Sequence, residues 1–254
     1  MNKKNDFSQK MHSYLRHPAS LIMMILVKLA ALITFTVLIF LIIYILVHGV
    51  PYLKPSLFSL HYNSENASLM PALINTVIMT LLSLLLAVPI GIFSAIFLAE
   101  YAGKGNKFVD IIRLTTETLS GIPSIVYGLF GMLFFVTYLK WGYSILAGAA
   151  TLAIMVLPLI MRTTEEALLA VSDSYREASF GVGAGKLRTV FKIVLPAAMP
   201  GILSGVILAI GRIVGETAAL IYTAGTVAEV SKGLLSSGRT LAIHMYVLSS
   251  EGLY

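Results

Sequence analysis

Long uncharged apolar runs alternate with short polar, basic segments along this chain. Leu29 to Val47 carries no charge, and Leu21 to Val27 prolongs the run beyond Lys28, whose alkyl stem can snorkel to the headgroups. A second run lies within Asn66–Ala99, is interrupted by Pro71 and Pro89, and is expected to span Leu73 to Leu98. The third covers Thr118 to Leu139. A tight turn at Lys140-Trp141-Gly142 leads to the fourth, Trp141 to Met161. The fifth runs from about Ala197 to Ile221 and holds Arg212 and Glu216 inside it. After Ala224 no further apolar segment of roughly 20 residues follows. The pattern predicts an all-α, polytopic membrane helical bundle with five visible spans.

Composition agrees. Hydrophobic residues make up 57% and charged residues 12% of the chain, against about 25% charged in soluble domains. The first run is too long for the roughly 7–15 residues of a signal-peptide core, and no small-x-small cleavage site follows it, so it reads as an uncleaved span. With no cysteine, disulfides, thiol catalysis and cysteine–metal sites are excluded.

Charge orients the spans. Of 18 Lys and Arg residues, twelve fall on one side: Lys3, Lys4, Lys10 and Arg16; Lys104, Lys107 and Arg113; and Arg162, Arg176, Lys186, Arg188 and Lys192. Lys54, Lys140, Lys232 and Arg239 face the other side. The positive-inside rule makes the N-terminus cytoplasmic, together with the segment around Glu177. The net charge of +6 is accounted for by this asymmetry, and no basic soluble domain supports nucleic-acid binding. The expected division is a cytoplasmic N-terminal segment over 1–20 and a transmembrane domain over 21–254.

The cytoplasmic loop at about 162–196 is the most informative segment. It predicts two short helices around a glycine hinge. Ser172 or Ser174 caps the first, which carries Arg176 and Glu177 and loosens at Gly181. The second starts at Lys186 and places Leu187, Val190, Phe191 and Val194 on one apolar face, with Pro196 ending it or turning the chain into the fifth span. Helices this short need a surface to lie against, either the groove of a partner or the chain's own bundle. Gly181 to Lys186 hints at a phosphate-binding loop, but Phe180 stands at the first glycine position and Leu187 at the Ser/Thr position. The chain is therefore expected to hold no ATP site.

Arg212 and Glu216, four residues apart, are expected on one helix face. Charges at that depth are costly, so they imply either an ion pair that fixes packing or a polar path in which Arg212 meets an anion. Ser124 and Tyr127 in the third span belong to that candidate path, beside small residues suited to close helix contact. Arg113 and Glu117 read as a solvated pair. His12, His17, His48, His61 and His244 lack metal-ligand spacing, and no catalytic constellation is evident. No cofactor is expected.

The spacing Glu177-Ala178-Ser179, three residues, Gly183, nine residues, Ile193-x-Leu195-Pro196 resembles the EAA loop of ABC importer permeases, with Ser179 where alanine is usual. Ala99–Ala102, Gly121–Gly131, Ser174–Ala178 and Gly211–Ala218 resemble the phosphate-specific permeases of the PstA type. This resemblance covers most of Asn75 to Ala242. It implies a type I ABC importer permease fold in a bacterial or archaeal cell membrane. It also implies a pore shared with a PstC-type permease, two PstB-type ATPases and an external PstS-type phosphate-binding protein. Glu177, Ala178, Gly183, Ile193, Leu195 and Pro196 then carry the contact with the ATPase, and Arg212 and Glu216 serve transport. Such permeases have six spans, so a sixth helix is expected beyond the five visible. The alternatives are a sulfate or molybdate permease, an ion-coupled secondary transporter with Arg212–Glu216 as proton relay, and a transport-inactive scaffold.

Overall fold

A computed structural model describes residues 18–102 and 105–252. The expected cytoplasmic charges Lys3, Lys4, Lys10, Arg16 and Lys104, and also His12 and His17, lie outside the described residues. The chain divides into two units, 1–55 and 56–254.

The first unit is built on helix α1, Pro18–Gly49. Its side chains are exposed almost all round, including Phe35, Phe40 and Leu46. A helix apolar on every face needs lipid or protein around it.

The second unit is arranged around two long helices. α2, Met70–Ile96, continues through a π-helical turn at Phe97–Tyr101. Pro71 does not interrupt this helix, because it occupies the first turn, where its missing N–H has no partner to lose. Pro89 is carried inside it. Small and hydroxylated residues at Ala72, Thr76, Thr80, Ser83 and Ala87 form the buried stripe. Thr76, Thr80 and Ser83 each donate to a carbonyl of the preceding turn at 2.7 Å, so burial leaves no hydroxyl unpaired.

That stripe lies against α5, Ile145–Leu169, the central helix. Ser144 caps α5 by accepting from the Ala147 N–H at 3.2 Å. The preceding turn needs left-handed backbone at Lys140 and Gly142, with φ of 56° and 63°. α5 extends well past Met161, so Arg162, Glu165 and Glu166 are helical rather than loop residues.

The expected third span, Thr118 to Leu139, lies mostly in one helix, and its first residues end another. α3, Lys107–Ser120, and α4, Ser124–Gly131 with its π-helical continuation Met132–Tyr138, meet at 100°. Pro123 lacks an N–H to continue the ladder and pushes Ile122 out of helical conformation.

Two short helices follow, α6 at Asp173–Gly181 and α7 at Lys186–Thr189. A π-helical turn at Val190–Val194 joins α7 to α8, Leu195–Val214. α9, Ala218–Ile221, and α10, Leu241–Glu251, complete the described chain. α10 has 11 residues, which at 1.5 Å each is about half the thickness of a hydrocarbon core. Among the described residues, four helices are long and apolar enough to cross a membrane, and five if the bent α3–α4 pair counts as one span.

Candidate coupling loop and charged helix end

Ser172 caps α6 as expected, its hydroxyl accepting from the Ser174 N–H at 3.4 Å. Gly183, with φ of +81°, supplies the left-handed residue at the turn toward α7. Ser179 is buried, and its hydroxyl lies 2.8 Å from that of Thr189. Thr189 donates in turn to the Gly185 carbonyl at 3.2 Å, so Ser179 is the donor between the two side chains. A hydroxyl clasp thus joins the two short helices at the residue that departs from the usual alanine.

Arg176 holds α6 to the bundle. Its Nη2 reaches Glu100 at 2.6 Å and the Leu168 carbonyl at 2.9 Å. Nε donates to Glu100 at 3.1 Å, and Nη1 donates to the Val171 carbonyl at 2.7 Å and to Asp173 at 3.1 Å. The carboxylate comes from the π-helical turn that ends α2. The same turn presents Tyr101, over whose ring the Lys186 ammonium sits at 5.0 Å. Both short helices therefore engage one element. Below them, Ala95, Ile96, Leu168, Val190, Val194 and Ala198 form an apolar cluster.

Of the residues expected to contact an ATPase, Glu177, Ala178, Gly183 and Pro196 are exposed, while Ile193 and Leu195 are half-buried. Tyr175, Phe180, Val182 and Leu187 are exposed apolar neighbours. The expected apolar face is buried only in part. Val190 and Val194 are buried with Thr189, whereas Leu187 is exposed and Phe191 remains 37% exposed. The wider π-helical turn rotates the side chains beyond it relative to a 3.6-residue helix. It also explains why Pro196 does not end the helix. The Leu195 N–H bonds the Val190 carbonyl five residues back, easing the turn in which a proline ring would meet the Lys192 carbonyl.

Arg113 pairs with Glu165 on α5, at 2.8 Å through Nε and 2.6 Å through Nη2, rather than with Glu117. The extension of α5 past Met161 brings that carboxylate within reach. Arg162 pairs with Glu166 at 2.9 Å. These four residues and Glu117 line a hollow of about 290 Å³ that Leu98 also borders.

Arg212 and Glu216 do not share a helix face. α8 ends at Val214, and the buried Glu216 carboxylate accepts from the Ala219 N–H at 3.0 Å, capping α9. Arg212 is half-buried and makes no ion pair among the described residues. Ser124 is half-buried at the start of α4. The Tyr127 hydroxyl donates to the Leu119 carbonyl at 2.8 Å, across the α3–α4 bend. α4 also packs closely on α9, where a Cβ on Gly128 would lie 2.7 Å from the Ala219 Cα.

Spacing along the sequence points to neither Glu165 nor Thr189, and it gives Glu100, within Ala99–Ala102, no partner. Glu100 and Arg176 are 76 residues apart, and no local spacing links them.

Known proteins give a context for this geometry. A Bacillus subtilis protein, probable ABC transporter permease protein YqgI, is 35% identical over 240 residues, 89% of this chain and 81% of that protein. Phosphate transport system permease protein PstA 2 of Mycobacterium bovis is 40% identical over 63% of this chain and 53% of its own length. The PstA protein of Haemophilus influenzae is 37% identical over 69% and 62%, respectively. The chain thus spans little more than half the length of the PstA relatives it matches. The pattern of the binding-protein-dependent transport system inner membrane component family matches residues 87–249. With its apolar helices, its exposed pair of short helices and this match over more than half its length, the chain belongs to the binding-protein-dependent transport system inner membrane component family.

Proposed function

We propose that this chain is the membrane-spanning subunit of an ATP-driven importer of inorganic phosphate, forming half of the translocation path. The observation that carries the coupling role is the α6–α7 pair. It exposes Tyr175, Glu177, Phe180, Val182 and Leu187 for a partner while Arg176 ties it to the ends of α2 and α5. A partner that moves α6 therefore pulls on two spans at once. Phosphate as the cargo is supported by the names of the PstA relatives and by the cation at Arg212 near the end of α8.

In this reading a cytoplasmic ATPase of the PstB type binds ATP, closes, and moves the loop. The bundle opens outward, phosphate delivered by a PstS-type protein meets Arg212, and hydrolysis returns the bundle to the inward state. A PstC-type permease supplies the other half of the path, and the N-terminus is cytoplasmic. The chain itself performs no chemistry and holds no ATP. Glu177, Ala178, Gly183, Ile193, Leu195 and Pro196 form the ATPase contact. Arg212, Glu216, Ser124 and Tyr127 lie along the path.

Membrane vesicles carrying the transporter test the proposal. With ATP supplied and the proton gradient collapsed, phosphate uptake is expected to continue. Uptake that stops with the gradient would instead favour an ion-coupled carrier. Uptake of sulfate or molybdate in place of phosphate would reassign the cargo.

A further inference from the structure

Six buried side-chain nitrogen and oxygen atoms lack a hydrogen-bond partner among the described residues, and five of them belong to Arg239, Thr240 and His244. They are Nε and Nη2 of Arg239, the Thr240 hydroxyl and both ring nitrogens of His244. Their backbone, by contrast, is firmly held. Asn75 donates to the carbonyls of Glu229 and Arg239 and accepts from the Ser231 N–H, and the Leu241 N–H donates to Thr76. The fold fixes this stretch while leaving its side chains unanswered.

The orphaned groups share a chemistry. An arginine can only donate, and no ion pair of Arg239 occurs among the described residues, although it is 3% exposed. The first turn of α10 adds to it. Thr240 stands at the cap position without making a cap bond, so the N–H groups of Ala242 and Ile243 have no partner within the helix. A buried cation, a free hydroxyl and a helix N-terminus together complement a small oxyanion. Tyr62 covers them. Its ring lies 4.6 Å from the Arg239 guanidinium carbon and edge-on to His244 at 5.8 Å. The orphaned atoms are sealed from solvent, so this conformation is the closed one.

We propose that Arg239, Thr240 and the open first turn of α10 form a binding site for the phosphate group, shut in this conformation by the Tyr62 ring. It is separate from Arg212. Only the identity of the ion as dissolved phosphate rests on the import reading; the donor set does not.

Thermal unfolding of the full chain in neutral-lipid nanodiscs, with the subunits that copurify, tests it. Millimolar inorganic phosphate is expected to raise Tm by a few degrees through binding to the folded state. Arg239→Met is expected to abolish that response yet raise Tm without phosphate, because it removes an unpaired buried cation. Arg212→Gln should keep the response, and Tyr62→Ala should show it at lower phosphate. A fall in phosphate-free Tm for Arg239→Met, or a phosphate response that survives it, overturns the proposal. So does the lack of any response to phosphate or to anionic lipid. An Arg239-dependent response to phosphatidylglycerol alone assigns the same site to a lipid phosphate. Absence of phosphate uptake in wild-type vesicles defeats the import reading, whereas an Arg239-dependent Tm shift would still stand.

Discussion

Glu100 and Arg176 meet at 2.6 Å where the end of α2 touches α6, with side chains only 8% and 15% exposed. Arg176 also donates to the carbonyls of Leu168, in the last turn of α5, and of Val171, just past its end. One guanidinium therefore joins the short exposed helix to both long helices of the unit. Pushing on α6 without moving α2 and α5 would break several charge-assisted hydrogen bonds.

Arg176→Ala is expected to lower stability by about 1.5–3 kcal/mol, the range for hydrogen bonds to charged groups, read from thermal unfolding. In the assembled transporter it should leave ATP hydrolysis running while phosphate uptake falls. Arg176→Lys should recover only part, since a point charge cannot reproduce the fork. Hydrogen bonding to Glu100 raises the Arg176 pKa further above its ordinary range, despite burial. The contribution of that raised pKa is present below the unfolded value and is lost only above it, so the guanidinium itself gives no pH dependence at neutral pH. Equal loss of hydrolysis and uptake would point to a failure of assembly instead.

Ser179→Ala removes the donor to Thr189 but leaves Thr189 bonded to Gly185. A loss of about 0.5–1.5 kcal/mol is expected. Because the two hydroxyls act as a pair, Ser179→Ala and Thr189→Val should be less than additive in a double-mutant cycle. Full additivity in thermal unfolding would show that the clasp does not couple the helices.

The long apolar runs α1, α2 and α5 were legible because uninterrupted hydrophobicity over roughly 20 residues fits little besides a helix that crosses a membrane. The paired short helices were legible from the cap at Ser172, the glycines from Gly181 to Gly185 and the apolar spacing after Lys186. Three features were not. The 100° bend at Gly121–Pro123 sits inside an apolar run, where hydropathy does not register a change of direction. The π-helical turn before Pro196 conceals the proline's effect, because one extra residue per turn is invisible in composition. The i,i+4 spacing puts Glu216 beside Arg212, yet the helix stops at Val214 and the carboxylate caps α9 instead. The orphaned Arg239, Thr240 and His244 needed the full packing, since what sets them apart is side-chain atoms without a hydrogen-bond partner among the described residues.

Tyr127→Phe is expected to affect stability more than transport. Its hydroxyl is already committed to the Leu119 carbonyl across the bend. A loss of about 0.5–1.5 kcal/mol should follow, with phosphate uptake close to wild type at low temperature. Abolished uptake with unchanged unfolding would instead put the phenol in contact with the permeating ion.

Arg212 and Glu216 should behave independently. Glu216→Gln keeps a side-chain oxygen for the Ala219 N–H, whereas Glu216→Ala leaves that donor buried and unpaired, at about 1–3 kcal/mol. Arg212→Gln should reduce phosphate uptake strongly with little change in unfolding. Additive effects on uptake in the double variant are expected, and strong coupling would show that the two side chains pair during the cycle.

The layer around His244 should make stability depend on pH. Burial chiefly, and then the charge of Arg239, hold its imidazole below the ordinary value, against a smaller opposing effect of the Ala67 carbonyl. The groups facing it are Arg239, Tyr62 and that carbonyl. As pH falls through the ordinary imidazole range near 6.5, the unfolded chain takes up a proton that the folded chain refuses. Stability is therefore complete above that range and declines below it until the lowered folded value is passed. His244→Leu should flatten the profile of Tm between pH 7 and 5 (the window near the ordinary imidazole value of about 6.5). Phosphate bound at Arg239 would offset the neighbouring charge, so the wild-type decline should be shallower with phosphate than without it. A profile unchanged by His244→Leu would place the pH sensitivity elsewhere.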